Sequence, residues 1–260
     1  MILLIILFTS LYLLYEDKYS FIKRYNNNII SKEYLNKSLN IIVARYNEDL
    51  SWTLEYPFNN YEYIVYNKGN NDNFEKKYVK LIINLPNVGR CDHTYLYHIV
   101  NNYNNLADIN LFLTGSIGTL QEKKKKTITI LKLIEETNNA VFINQDNQDN
   151  NNIKKKFYYF TLDNWNSTDK NNSIDEEKLK HSSIRPYGKW YESIFGDINC
   201  SETTYLGIFS ISKNDIIQNS LDKYKLIIKE LETHSNPEAG HYVERSWCAI
   251  FHKMTDTLIM

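Results

Sequence analysis

From residue 39 onward the chain alternates short, nearly continuous apolar runs with stretches of helical period, a pattern that predicts strands interleaved with helices. Residues 39–44 (LNIIVA) are rich in β-branched side chains and fit the middle of a parallel sheet buried on both faces. Further strands are expected at 61–66, 79–85, 107–113 and 204–211, with a short one at 157–162. Polar or glycine-bearing turns at 67–70 and 86–89 separate the first three. In 92–105, Leu96, Ile99, Val100 and Tyr103 recur at helical spacing behind Asp92, a fitting cap. Other helices are expected at 127–137, from Asn214 or Asp215 to Leu231, and within 238–251 through Glu244, Trp247, Cys248 and Phe251. Such alternation calls for a mostly parallel central sheet with helices on both faces, whose ligands bind beyond the carboxyl ends of the strands.

Before residue 39 the pattern changes. Residues 2–15 (ILLIILFTSLYLLY) are uncharged and end abruptly at Glu16, Asp17 and Lys18. This hydrophobic segment, 1–18, reads as a short single-pass membrane anchor, with a cleaved signal core or a buried helix as alternatives. Residues 19–38 read as a stem, and 253–260 as a C-terminal tail beyond the domain at 39–252. The positive residues Lys18, Lys23 and Arg24 follow the segment, which places the domain on the cytosolic side by the positive-inside rule, against a lumenal location. Residues 144–156 and 163–180 are rich in Asn, Asp and Lys and read as loop insertions.

Composition narrows the function. Of 260 residues, 43% are hydrophobic and 14% aromatic, enough to fold one α/β domain. A formal net charge of -1 provides no field for a polyanion, so nucleic acid is not an expected partner. The lysine run 123–126 is the local exception and reads as a solvated turn or helix start, with phosphate or anionic-lipid contact as the alternative. Cys91, Cys200 and Cys248 permit at most one internal disulfide and no four-cysteine zinc site. Sequons at Asn36, Asn166, Asn171 and Asn199 do not fix a compartment in so asparagine-rich a chain.

Candidate chemistry collects at expected strand ends. Arg45, Tyr46, Asn47, Glu48 and Asp49 follow the first strand, where an Arg neutralises a diphosphate and a Tyr stacks on a base; the bland alternative is an exposed turn capped by Asp49. Asn87, Gly89, Arg90, Asp92 and His93 join the third strand to its helix, where glycine and free amides favour an anion. Neither a phosphate-binding Walker loop nor a dinucleotide glycine fingerprint is present. Thr114, Gly115 and Ser116 end the fourth strand without the acidic pair that a metal-dependent sugar transferase needs there, and Asp108 lies at the wrong end. His241 and Glu244, three apart, can share a helix face for proton transfer, and Arg245 can bind phosphate or clamp Glu244; a structural ion pair is the alternative.

Together the strings IIVARYNEDLSW, YIVYNKG, LPNVGR, HTYLYHIVNNYNNLAD, LFLTG and NPEAGHYVERSW resemble an uncharacterised family of fungal and large-virus proteins related to the GT-A nucleotide-sugar glycosyltransferases. The resemblance covers about residues 39–252 and implies an α/β, GT-A-like nucleotide-diphospho-sugar transferase fold. The family's members have no established reaction; the leading expectation for this chain is sugar transfer from a nucleotide-sugar donor, with Mn or Mg as the accompanying cation, to a glycan or protein acceptor, and a non-catalytic nucleotide- or carbohydrate-binding protein and a membrane-tethered virion protein are the alternatives. The expected location is a membrane, in a virion or the host secretory pathway. Carried onto this chain, the motif marks Arg45, Asn47 and Glu48, then Asn67 and Lys68, then Asn87, Gly89 and Arg90, then Glu244, Arg245 and Trp247. Thr114, Gly115 and Ser116 stand where the family commonly has Gln-Gly followed by an acid. Glu244, His241 and Glu48 are the candidate catalytic residues; Arg45, Asn47, Asn67, Lys68, Asn87, Gly89, Arg90, Thr114, Gly115 and Arg245 would hold the donor.

Overall fold

The run of β-branched residues at the start of the domain forms β1 (Leu39–Arg45), whose last five residues are buried. We describe residues 36–145, 152–164 and 177–260 from a computed structural model, in which Lys37–Met260 make one compact unit. β1 lies between β2 (Tyr63–Asn67) and β4 (Ile109–Thr114), parallel to both. β3 (Val79–Asn84) extends the sheet beyond β2, and β6 (Phe209–Ser212) adds an antiparallel edge beside β4, giving the order β3-β2-β1-β4-β6. A second, two-stranded sheet pairs β5 (Ala140–Phe142) with β7 (Thr257–Ile259) in parallel. The expected mixed α/β architecture is therefore present as two sheets with helices.

Burial on both faces accounts for the unbroken apolar runs. Ile42, Ala44, Ile64, Tyr66 and Phe112 join one core cluster with Tyr95, Leu96 and Ile99 of α1 (Arg90–Asn102). The alternate positions Ile41, Val43, Val65, Leu111 and Leu113 point to the other face and are just as buried. Each such side chain contributes about 1.5–3 kcal/mol of burial.

α2 (Gln121–Thr137) begins well before the expected 127, because the lysine run is helical. Lys126 is buried, and its ammonium donates to Gln145 Oε1 (2.7 Å), Thr204 Oγ1 (2.6 Å) and the Tyr205 carbonyl (2.9 Å). The solvated reading of the run is thus corrected at this residue. After α3 (Ile153–Lys156) the expected strand 157–162 is instead a series of turns, with Phe160 N–H bonded to the Phe157 carbonyl and Phe160 packed against Tyr242. α4 (Tyr187–Phe195) follows. The long helix expected to reach Leu231 divides into α5 (Lys213–Ile217) and α6 (Leu221–Lys229), each capped by a serine, Ser212 and Ser220. α7 (Glu238–Arg245) and α8 (Trp247–Ile250) replace the single C-terminal helix. β7 forms within what the sequence presents as a tail.

The membrane expectation is corrected. Among the described residues no helix is long and apolar enough to cross a bilayer, and the segment 1–18 that suggested a single-pass anchor lies outside them, as do the stem up to residue 35 and residues 146–151 and 165–176 of the insertions. The membrane partner and membrane location inferred from it are withdrawn.

Candidate active site

After β1 the chain proceeds to β2 and β3 on one side, then returns through α1 to place β4 on the other. The carboxyl ends of β1 and β4 therefore flank a topological switch point, where loops leave in opposite directions and open a crevice. A cleft of about 400 Å³ lies there, within the roughly 300–1,000 Å³ usual for small-molecule sites. Ala44 and Arg45 of β1 and Thr114 at the end of β4 form its floor; Arg90, Cys91 and Asp92 enter from the start of α1. Lys123 comes from α2, and the segment Tyr205–Gly207 forms another wall. Gly240, His241, Glu244 and Arg245 form one face of α7, at the spacing a helix requires.

Of the residues singled out from sequence, Arg45, Glu48, Lys68, Asn87, Arg90, Thr114, His241, Glu244 and Arg245 meet in this cleft. Asn47, Asn67, Gly89 and Gly115 do not line it. Asn67 accepts from Arg45 Nη1 (2.5 Å) through its Oδ1 and donates to the Gly69 carbonyl (3.1 Å), so it ties the β1 and β2 turns together. Gly89 adopts φ 59°, and a Cβ there would stand 2.6 Å from the Leu231 Cβ; close packing rather than phosphate approach demands glycine. Gly115 leaves room for the Glu48 carboxylate, which would lie 2.8 Å from an added Cβ.

Several cleft cations serve the backbone. Arg45 is 1% exposed; its Nε donates to the Glu48 carbonyl (2.7 Å), its Nη1 to the Tyr46 and Asn71 carbonyls (3.1 and 2.6 Å), and its guanidinium stacks 4.1 Å above Phe74. Lys68 donates to the Val88 carbonyl (2.5 Å) and to the Arg90 carbonyl, and burial pulls its pKa down to about 7. Arg90 itself adopts φ 57°, a left-handed conformation uncommon for a non-glycine residue. Leu206, on another wall, has φ 70°. Arg245 donates to the His241 carbonyl (2.9 Å) and stacks 4.1 Å over Phe160, with Glu244 at 3.9 Å.

The acids differ in environment. Asp92 is buried and accepts a hydrogen bond from Trp247 Nε1 (3.1 Å); burial, then the nearby Glu244 charge, raise its pKa to about 7. Glu48 accepts from the Tyr46 amide (2.7 Å) and is 6% exposed. Glu244 keeps a quarter of its side chain open to solvent. His241 is held neutral, its pKa lowered to about 3 by burial and then by Arg90 and Arg245. His93 is likewise lowered to about 3 by burial and packs beside Tyr97 outside the cleft lining. Burial pushes the Cys91 thiol up, which makes it a poor nucleophile.

Lys123 opens the lysine run read from sequence as a solvated turn or helix start, with phosphate or anionic-lipid contact as the alternative, and it lines the cleft. Its ammonium donates to Thr114 Oγ1 (3.1 Å) and Ser116 Oγ (2.7 Å). The helical period carries the signal for that position, since Lys123 precedes Lys126, Thr127, Ile130 and Ile134 on the buried stripe of α2. Elsewhere, Cys200 and Cys248 form a disulfide. With Glu202 they are the one group of three or more His, Cys, Asp or Glu among the described residues close enough to hold a metal ion, and metal binding would require the sulfurs to be reduced.

A profile of the family described as "Protein of unknown function (DUF3431)" matches residues 41–258. The chain belongs to this family. No curated protein and no solved structure matches it. The span matched by the DUF3431 profile runs from within β1 into β7, so it takes in all five strands of the main sheet except the first two residues of β1, together with the cleft and the Cys200–Cys248 link.

Proposed function

We propose that the cleft binds the diphosphate of a nucleotide sugar and that the protein transfers the sugar to a hydroxyl acceptor, in the manner of the GT-A nucleotide-sugar transferases its motifs resemble. The observation that carries this reading is the convergence, at the β1/β4 switch point, of the His241–Glu244–Arg245 face of α7 with Arg90 and Lys123. Cations there suit a diphosphate, and Tyr46 and Tyr205 offer ring faces for a base.

In the transfer, an acceptor oxygen bonds to the anomeric carbon while the bond from that carbon to the diphosphate oxygen breaks, its electron pair leaving with the diphosphate. Glu244 takes the acceptor proton, because it is the cleft carboxylate with an open side chain, whereas Glu48 and Asp92 are buried and held by Tyr46 and Trp247. Neutral His241 orients the acceptor hydroxyl without adding charge. Arg90 and Arg245 stabilise the departing diphosphate.

The test is release of nucleoside diphosphate from a panel of uridine, guanosine and adenosine diphosphate sugars by the full chain. One donor should be turned over, and Glu244→Gln should lower kcat by about 100-fold or more while leaving donor affinity within about threefold. Binding without turnover would make the protein a nucleotide-binding module; neither binding nor turnover would end the proposal.

A further inference from the structure

A divalent cation at the end of β4 would need acidic ligands facing the donor diphosphate. The residues there do not fit one: Thr114 and Ser116 present hydroxyls, Glu48 accepts from the Tyr46 amide, and Asp92 accepts from Trp247. Among the described residues the one group of His, Cys, Asp or Glu close enough to share an ion lies elsewhere, where the segment before β6 meets α8. There the sulfurs of Cys200 and Cys248 and a carboxylate oxygen of Glu202 all lie within 4.8 Å of one another. His252 faces the same hollow, of about 350 Å³, and its ring is within electrostatic reach of the Glu202 carboxylate.

We propose that this is a redox-gated zinc site: in the oxidised protein the two sulfurs are joined, and once they are reduced Cys200, Glu202, Cys248 and His252 hold one Zn²⁺ as a tetrahedral set. The inference is independent of the nucleotide-sugar reading. Thiolate, carboxylate and imidazole are the donor types that zinc takes in fours. They come as two short pairs, Cys-x-Glu at 200–202 and Cys-x-x-x-His at 248–252, the second with one-turn spacing across the end of α8. Zn–S bonds of about 2.3 Å place tetrahedral sulfurs about 3.8 Å apart, and Cα atoms 6.3 Å apart accommodate that arrangement as well as the disulfide. Ser201 orients the carboxylate, its amide and hydroxyl donating to Glu202 (3.1 and 3.3 Å). Lys253 also lines the hollow; its charge and the two of the ion balance the three negative charges of the thiolates and Glu202.

Reduction by a dithiol adds two electrons and two protons across the Cys200–Cys248 bond and leaves the reductant as a disulfide; Zn²⁺ then displaces the two thiol protons. Exchange with a low-molecular-weight disulfide re-forms the bond, converts that disulfide to two thiols and releases the ion. The same two segments are thus fastened in both states, by the covalent bond or by the metal.

For the test, the full chain is reduced with dithiothreitol, passed anaerobically into metal-free buffer, and titrated with Zn²⁺ by calorimetry and with Co²⁺ by absorption. One Zn²⁺ should bind per chain with Kd below about 1 µM, and Co²⁺ should give a thiolate charge-transfer band with the intense visible bands of a four-coordinate ion. The disulfide form should bind at least about 100-fold more weakly, and Zn²⁺ should raise the melting temperature of the reduced form alone. Glu202→Gln and His252→Gln should each weaken Zn²⁺ binding by about 10-fold or more, no less than the loss of an outer-shell partner. Their disulfide forms should melt with the parent, which separates a lost ligand from damage to the fold, and Cys91→Ser should bind like the parent. A reduced protein that binds no Zn²⁺, equal binding by the disulfide form, or binding abolished by Cys91→Ser overturns the inference, as does binding that both Glu202→Gln and His252→Gln leave unchanged.

Discussion

Arg45 at the end of β1 and Lys68 just after β2 direct most of their donors to backbone carbonyls, and Lys68 shares the response of the cleft to pH with Asp92. Asp92 has a native pKa raised from 3.8 to about 7 by burial and by Glu244. Between about pH 4 and 7 the native state keeps a proton that the unfolded chain has released, so this contribution to stability is full below the unfolded pKa and is lost as pH rises through 7. Asp92→Asn keeps an acceptor for Trp247 Nε1 and cannot ionise. Its urea midpoint should therefore fall less than that of the parent between pH 4.5 and 7.5; equal falls would show that Asp92 does not hold the proton. Lys68 and Lys126, both lowered to about 7, act in the window from there to 10.5, where unfolded lysines keep a proton that native ones release and stability rises with pH.

At the scale of elements, α5 and β7 depend on one carboxylate. Asp215 is fully buried, and its Oδ1 accepts from the amides of Thr255 (2.8 Å) and Asp256 (3.1 Å), fixing the approach to β7. Asp215→Ala would strand both amides and should cost about 2–3 kcal/mol in denaturant titrations, with hydrogen exchange quickening in β7 before β1; an unchanged midpoint would refute this role. Elements buried on two faces were legible in the sequence, because β1, β2 and β4 leave unbroken apolar runs. β7 was not: three residues, TLI, carry no period, and their pairing with β5 is a long-range contact. The turns at 157–162 misled because their aromatic residues pack on Tyr187 and Tyr242 rather than on a neighbouring strand. In the cleft, Glu244 and His241 were legible from helical spacing. Arg45 was legible in place but not in use, since nothing local reveals that the Asn71 carbonyl and Phe74 return to meet it.

For the whole molecule, the Cys200–Cys248 link closes a loop with a sequence separation of 48 and joins the segment before β6 to α8. By chain entropy such a closure is worth about 4 kcal/mol. Dithiothreitol should therefore lower the unfolding free energy by up to that amount, and a Cys200→Ser, Cys248→Ser double variant should unfold at the same denaturant concentration with or without reductant. A loss in the double variant on adding reductant would point to a different sulfur. The cleft has a global consequence of its own, because its walls come from stretches of chain as far apart as Ala44 and Arg245. Unfolding of the central sheet or of α7 takes the walls out of register, so occupancy of the cleft and integrity of these elements are thermodynamically linked. A ligand present at about one hundred times its dissociation constant would raise the melting point through roughly 2.7 kcal/mol of added stability, and heating curves alone can therefore rank candidate compounds before any reaction is known.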